Sequence, residues 1–502
     1  MQTVRALVDA QAAAHAHATY FVAATTGGAL RFGELAQSCR NVGALLRARG
    51  LEPGAHVSLV MGNGLQTIRL LLGALYGGWC VNPVNLLSQP EQMRYVLDHA
   101  DARLVCVAPE WEERVRALLT GIERRIDVLV VDPDATTLPG ESESHVVPPT
   151  PRADALALLM YTSGTTGKPK GVMLTQANLA ANAQAISAEH HLGSGDRVAA
   201  VLPLYHINAF AVTMLAPLAH GGSLAMPPKF SATSFWDMVG AQRCTWINVV
   251  PTIISYLLEG ETPTREVLAS VRFCRSASAA LPPEHHRAFE AKFGIGIIET
   301  MGLTETVAPA FSNPPDAAQR KIGSVGRASG CEARVVDAQG DPVADGTIGE
   351  VTIRGPQVMA GYYKNQEATA AAFHPERWLR TGDLGYRDAD GFFFITGRIK
   401  ELIIKGGENI APREIDEALL KHPAVLDAAA VGIPDRHYGQ EIMACVIVRE
   451  GASCTEDELR DFCDRELGRY KTPKLIRFVA ELPRGPSGKV QRLKLVELAS
   501  QS

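Results

Sequence analysis

The segment YTSGTTGKPKG, residues 161–171, concentrates groups that hold phosphate. Thr162, Ser163, Thr165 and Thr166 offer hydroxyls, and Lys168 and Lys170 supply positive charge. Gly164, Gly167 and Gly171 permit tight turns that point backbone N–H groups inward. The apolar run ALALLM leads in as a strand, so the pattern describes a polyphosphate cradle at a strand end. It is not a Walker loop, which needs four residues between its first glycine and its Gly-Lys, then Ser or Thr opening a helix. Here two residues separate Gly164 from Gly167, Pro169 follows Lys168, and GVMLT reads as a strand. Surface linkers do not combine four hydroxyls, three glycines and two lysines in eleven residues. A second stretch, PRGPSGKVQR (483–492), holds Lys489 in a Gly/Pro loop that alone reads as a surface turn.

The elements that must position these groups alternate. HVSLVMG (56–62) precedes the helical LQTIRLLLGALYGG, and ARLVCVA (102–108) precedes WEERVRALL. RVAAVLP (197–203), TWINVVPT (245–252) and VRFCRSAS (271–278) repeat the strand-then-helix pattern. This argues for an α/β fold with largely parallel, buried sheets. Near residue 340 the texture changes to strand–turn–strand patterns with Asp-Gly corners. After Arg398 a helix, two strands, a helix and a strand make a compact α+β unit. The expected division is a large domain over 1–398 and a small one over 399–502.

With 49 Lys+Arg against 54 Asp+Glu, a net charge of −5, the chain is a poor match for phosphate backbones, so nucleic acid is not an expected partner. Nine scattered cysteines without a Cys-x-x-Cys pair read as reduced core thiols. Asp9, Gln11, His15 and His17 interrupt the N-terminal apolar stretch, and the apolar region at 208–219 is too short to span a bilayer. The expectation is a cytoplasmic protein without membrane insertion, as a monomer or homodimer.

The 161–171 string resembles the phosphate-binding signature of the adenylate-forming superfamily, which comprises acyl-CoA synthetases, luciferases and peptide-synthetase adenylation domains. The resemblance runs over nearly the whole chain, with further motifs in the family's order. It implies a large domain of stacked mixed and parallel sheets with a β-barrel-like subdomain, and a small mobile domain on a hinge. ETMGLTE (299–305) looks like the adenine-side motif. By that resemblance Thr304 contacts the AMP phosphate, and Glu305, with Thr166, helps hold Mg²⁺, for which a carboxylate is a suitable hard ligand. Glu299, Thr300 and Met301, with Ser278, Ala279 and Ala280, fall on the nucleotide side. The family commonly has Tyr where this chain has Met301. RTGDLG (380–385) makes Asp383 the ribose ligand, with Ile395 and Arg398 beside it. Lys400 matches the hinge position. Lys405, Gly406, Gly407 and Glu408 match the CoA-binding loop, and Lys489 matches the catalytic lysine. ATP, Mg²⁺ and coenzyme A are thus implied, with no tightly bound organic cofactor.

The physical logic agrees. A carboxylate attacking the α-phosphate of ATP brings two anions together, so the site must supply cations and N–H donors where charge develops. The resemblance implies two steps: an acyl adenylate plus pyrophosphate, then a thioester with CoA after the small domain rotates about Lys400.

For the acid, PLYHINAF (203–210) resembles the segment whose His lines the acyl pocket, making His206 and Asn208 candidates. Trp246, Asn248, Val249, Arg275, Ser276, Ala277, Met301, Gly302, Thr306 and Val307 complete the implied pocket. Their mixed polarity argues for a short polar or anionic acid. Arg275 reads either as a charge partner for a second anionic group or as a solvated strand-end charge. FSATSFWDMVGAQRCTWINVVPTI and CRSASAALPP look like oxalate-CoA ligases and their short-chain relatives. Those typically continue Thr-Glu with Ala-Ser-His, whereas this chain has Thr306-Val307-Ala308, which argues against oxalate itself. Aromatic or medium-chain acids, an amino-acid or aryl-acid adenylating enzyme loading a carrier, and luciferase-type oxidation are the rivals. A non-enzymatic nucleotide sensor would be expected to lose Lys489, Glu305 or the loop lysines, and all are present.

Overall fold

The computed structural model describes residues 2–162, 168–484 and 490–498. Its frame is two large mixed sheets. In the nine-stranded sheet, Thr19–Ala23, Ser223–Met226, Arg197–Ala199, Trp246–Val249, Phe273–Ser276 and Ile297–Leu303 lie side by side and parallel. Antiparallel strands, including Ala308–Ser312, close its edges. In the seven-stranded sheet, Leu156–Thr162, Cys80–Pro83, His56–Val60, Ala102–Val107 and Asp127–Val130 run parallel, and Lys170–Thr175 turns back antiparallel. The alternation of apolar strands and helices in the sequence is this architecture, because strands buried on both faces must be apolar throughout.

One expected strand is cut short. RVAAVLP pairs only over Arg197–Ala199. Beyond it the Asn63 side chain takes over, donating to the Leu202 carbonyl at 3.0 Å and accepting from the Leu204 N–H at 3.0 Å. The chain is thereby led to His206 and into a π-helical turn, Ala209–Leu215, which continues as the helix Ala216–His220. Such widened turns are rare and often sit at functional sites.

The helix Gln176–Glu189 packs against strands of both large sheets. Thr175 caps it, accepting from the Asn178 N–H, while Asn178 returns a bond to the Thr175 N–H. Its inward asparagines are ties. Asn178 donates to the Val358 carbonyl at 3.1 Å, and Asn182 donates to the carbonyls of Thr306 and Pro309 at 3.1 and 2.9 Å.

The sheet that includes Glu332–Val336, Gly349–Arg354 and Trp378–Arg387 is antiparallel and carries the motif around Asp383. From Ile403 onward a separate sheet has its own cores: Ile403, Ile415, Leu419, Leu459 and Cys463 on one face, and Met443, Cys445, Leu482 and Leu495 on the other. All nine cysteines are free thiols, and seven are buried. Among the described residues no helix is long and apolar enough to cross a membrane.

One glycine is dictated by close approach. A Cβ on Gly302 would lie 1.8 Å from the Ala308 carbonyl oxygen and 2.8 Å from the Pro309 Cα, both rigid backbone. Gly302→Ala is therefore expected to cost about 1–3 kcal/mol, read from the urea midpoint. An unchanged midpoint would mean that this hairpin yields freely.

Candidate active site

Three groups of side chains gather at the strand ends of the large domain. The first lies on the two strands that flank residues 163–167. Thr162 ends one strand and pairs with Lys170, which opens the next. Lys168 Nζ sits 5.3 Å from the Tyr95 ring centre and Lys170 Nζ 4.8 Å from that of Tyr362. Ser163, Gly164, Thr165, Thr166 and Gly167 lie outside the described residues, as does Lys489. Thr304, Glu305 and Thr306 form a tight 3₁₀ turn against the Lys170–Thr175 strand. The Tyr362 hydroxyl donates to Glu305 Oε1 at 2.8 Å, and the Met359 N–H donates to the Glu305 carbonyl at 2.8 Å. Burial, then the Glu305 charge, push the Tyr362 hydroxyl far up, so it remains a donor. Among the described residues no other side chain bonds the Glu305 carboxylate, which leaves Oε2 for a cation. The residues fit a hard divalent ion with phosphate as co-ligand.

The turn is strained. Val307 and Ala308 have φ of 57° and 72°, left-handed values that a β-branched residue rarely adopts. The Thr306 hydroxyl donates to the Ala308 carbonyl at 2.8 Å and accepts from the Leu303 N–H at 3.0 Å. Thr306 is thus fully buried and spends its hydroxyl inside the turn, which replaces its wall reading with a structural one. Val307 is buried beside it.

The second group holds the residues that the sequence reading expects on the ribose side. Asp383 and Arg398 face each other on paired strands, with Nε to Oδ1 at 2.7 Å. The Asp383 charge holds the Arg398 guanidinium above its ordinary value. Asp383 is buried, and its Oδ2 has no partner among the described residues, so an acceptor is left for a hydroxyl. Glu299, expected from the sequence on the adenine side, is buried. Its Oε1 accepts from the Leu281 N–H at 3.3 Å, and Oε2 has no partner among the described residues. Burial pushes its carboxyl up to about 7, with Arg413 pulling the other way. Thr300 donates to the Ser276 carbonyl at 3.3 Å. Met301 is half-buried on the same strand, and Ala279 and Ala280 follow Ser278 in the connecting loop. Arg413 also donates to the Ile395 carbonyl at 2.7 Å, a bond from the C-terminal unit to the strand that ends at Arg398.

The third group is a buried polar floor. Arg275 has no exposed surface. Its Nη1 donates to Asn248 Oδ1 at 2.7 Å and Asn208 Oδ1 at 2.9 Å, while Nε and Nη2 have no partner among the described residues. Asn208 in turn donates to the Ser278 hydroxyl at 3.2 Å. Asn248 lies directly opposite Arg275 on the neighbouring parallel strand. Burial pulls the guanidinium down to about 9, still cationic at neutral pH. The solvated strand-end reading of Arg275 is therefore wrong. Trp246 is corrected as well: fully buried, it stacks on Phe273 two residues below Asn248, and His190 stacks on Phe273 too. It belongs to the core beneath the floor. Ser276 and Val249 are fully buried, and the Ala277 N–H donates to the Val249 carbonyl. His206 is half-buried, its ring edge-on to Tyr205.

The residues expected to form the CoA loop stand apart, on the C-terminal sheet. Gly406 and Gly407 have φ of 57° and 90°, so this backbone favours glycine, and Glu408 is exposed. Lys405 is corrected: its ammonium is buried, bonded to Glu441 at 2.8 Å and to the Tyr470 carbonyl at 2.9 Å, and so it braces the small sheet. Lys400 lies exposed in the short turn Ile399–Glu401. Sequence reasoning did not single out Tyr362, Asn182 or Arg413. Tyr362 follows a glycine in GYYKN, a signal that points to a turn but not to Glu305.

The Glu305 carboxylate, the Asp383–Arg398 pair and the buried Arg275 cluster thus lie where the sequence reading expects cation, ribose and acid contacts. The AMP-binding enzyme family matches residues 8–363 and its C-terminal domain residues 414–489. The sulfoacetate–CoA ligase of Cupriavidus necator is 59% identical over 99% of this chain and 98% of its own. An oxalate–CoA ligase of Arabidopsis thaliana is 35% identical over 90% of both. ATP-bound MatB from Rhodopseudomonas palustris superposes with a TM-score of 0.93 at 31% identity, covering 99% of each chain. The chain belongs to the AMP-binding enzyme family, as an AMP-forming acid–CoA ligase.

Proposed function

We propose that the acid is sulfoacetate or a close analogue: a short carboxylic acid bearing a second anionic group. The observation that carries this reading is the 59% identity, over 99% of the chain, to a sulfoacetate–CoA ligase. The buried floor of Arg275, Asn208 and Asn248 supports it, since a long apolar tail has no use for such groups. In the first step the carboxylate attacks the α-phosphate of ATP and pyrophosphate leaves. In the second, the CoA thiol attacks the acyl adenylate and AMP leaves. Lys170, with Lys168, neutralises the departing pyrophosphate. Glu305 would hold Mg²⁺, which would supply charge stabilisation there. Asp383 anchors the ribose, and Lys489 and the 406–408 loop serve the two steps in turn, with residues 399–502 pivoting at Lys400.

The test is ATP-dependent pyrophosphate release over a panel with and without CoA: sulfoacetate, malonate, oxalate, acetate, butyrate, benzoate, decanoate and several amino acids. Sulfoacetate is expected to be fastest, and sustained turnover is expected to need CoA. A preference for benzoate or decanoate would overturn the acid assigned here and leave the ligase chemistry intact.

A further inference from the structure

Arginine is almost never fully buried unless it is paired. Arg275 is fully buried, and among the described residues no carboxylate pairs with it. Only Nη1 is satisfied, and by the neutral carbonyl oxygens of Asn208 and Asn248. Neighbouring charge does not compensate it. Burial, then the Arg275 charge, push His190 down to about 3, so its imidazole is neutral. Burial raises the Cys274 thiol well above its ordinary value. Glu299 lies opposite Ser276 in the register, on the other face of the sheet from Arg275. Buried polar groups without partners call for a physical reason. A cation left unpaired by its own fold is stabilised by an anion that arrives from outside.

The position suits that role. Arg275 is the penultimate residue of the Phe273–Ser276 strand, at the carboxyl end of a parallel sheet, where ligands of α/β folds bind. Its buried, unpartnered edge, Nε and Nη2, is the fork that matches two oxygens of a carboxylate or sulfonate. The two asparagines fix the third nitrogen and so the plane of that fork. Asn208 also bonds Ser278, at the start of the loop that leads to Ala279 and Ala280.

We infer that Arg275 is the specificity-determining residue that receives the second anionic group of the acid, through Nε and Nη2, with Asn208 and Asn248 orienting it. This rests on the reading of the acid given above. Charge, rather than chain length, is then what the pocket selects.

The experiment compares wild type, Arg275→Gln and Arg275→Lys with sulfoacetate and with butyrate. It reads kcat/KM for pyrophosphate release, and the affinities for sulfoacetate and for ATP by calorimetry. In Arg275→Gln the sulfoacetate-to-butyrate ratio of kcat/KM is expected to fall about 10²–10³-fold, with sulfoacetate affinity lost and ATP affinity retained. Arg275→Lys keeps the charge without the fork and is expected to recover part of the ratio, also serving as the probe if Arg275→Gln does not fold. Equal losses with both acids, or a ratio that does not move, would overturn the inference while the acid stands. A wild type that turns over butyrate but no doubly anionic acid would overturn the reading of the acid, and this inference with it.

Discussion

Glu305→Gln is expected to slow pyrophosphate release by about 10²–10³-fold, the scale of losing one preorganised electrostatic contact to a transition state. The substitution is nearly isosteric, and the Met359 N–H bond uses the Glu305 main chain, so the turn itself should survive. What disappears is the negative charge beside the Tyr362 hydroxyl. Tyr362→Phe tests the same arrangement more gently. It leaves the charge and removes the hydroxyl that fixes it, a change that typically costs about 10–100-fold in metal affinity or activity. Its deficit should shrink as Mg²⁺ is raised, whereas that of Glu305→Gln should persist. A Tyr362→Phe enzyme with an ordinary Mg²⁺ requirement would show that the hydroxyl only props the 361–362 strand.

The second large effect is separable by step. Lys489→Ala is expected to lower adenylate formation by about 10²-fold or more, while transfer from a supplied acyl adenylate to CoA continues. In the first step an anion approaches an anion, and this is where a cation is most needed. The frame around this lysine is well anchored. Arg484 and Val490 form an antiparallel bridge, and Arg492 binds Asp416, Glu401 and the Ala430 carbonyl. An alanine in the intervening stretch should leave that frame standing. Equal loss of both half-reactions would show that Lys489 is not confined to the first.

Most of the fold was legible because its signals are local. Apolar strands followed by amphipathic helices announce parallel sheets, and the loop at 161–171 carries its own chemistry in eleven consecutive residues. The limits appear where function depends on what lies across the fold. Arg275 could be read as a solvated charge because its partners, Asn248 and Asn208, are 27 and 67 residues distant. Lys405 looked available to CoA because nothing in IIKGGEN shows that Glu441 and Tyr470 enclose its ammonium. Thr306 turns its hydroxyl inward within its own turn, and Trp246, on the same face as Asn248, opens its strand two residues lower and so packs into the core. Asn182 was invisible for the complementary reason, since a helix of small and polar residues gives no hint that one amide holds the carbonyl of Thr306.

The buried thiols have a use beyond packing. Cys445 and Cys463 report on the C-terminal unit, whereas Cys39, Cys106, Cys244 and Cys274 belong to the main core of the large one. Burial raises every one of these six above its ordinary value, so none should react with an alkylating reagent until its surroundings open. Timed alkylation followed by peptide mass spectrometry would therefore rank the two units by how often each breathes. The same clock run with ATP, acid and CoA added in turn would show which ligand quiets which unit, without a single engineered label.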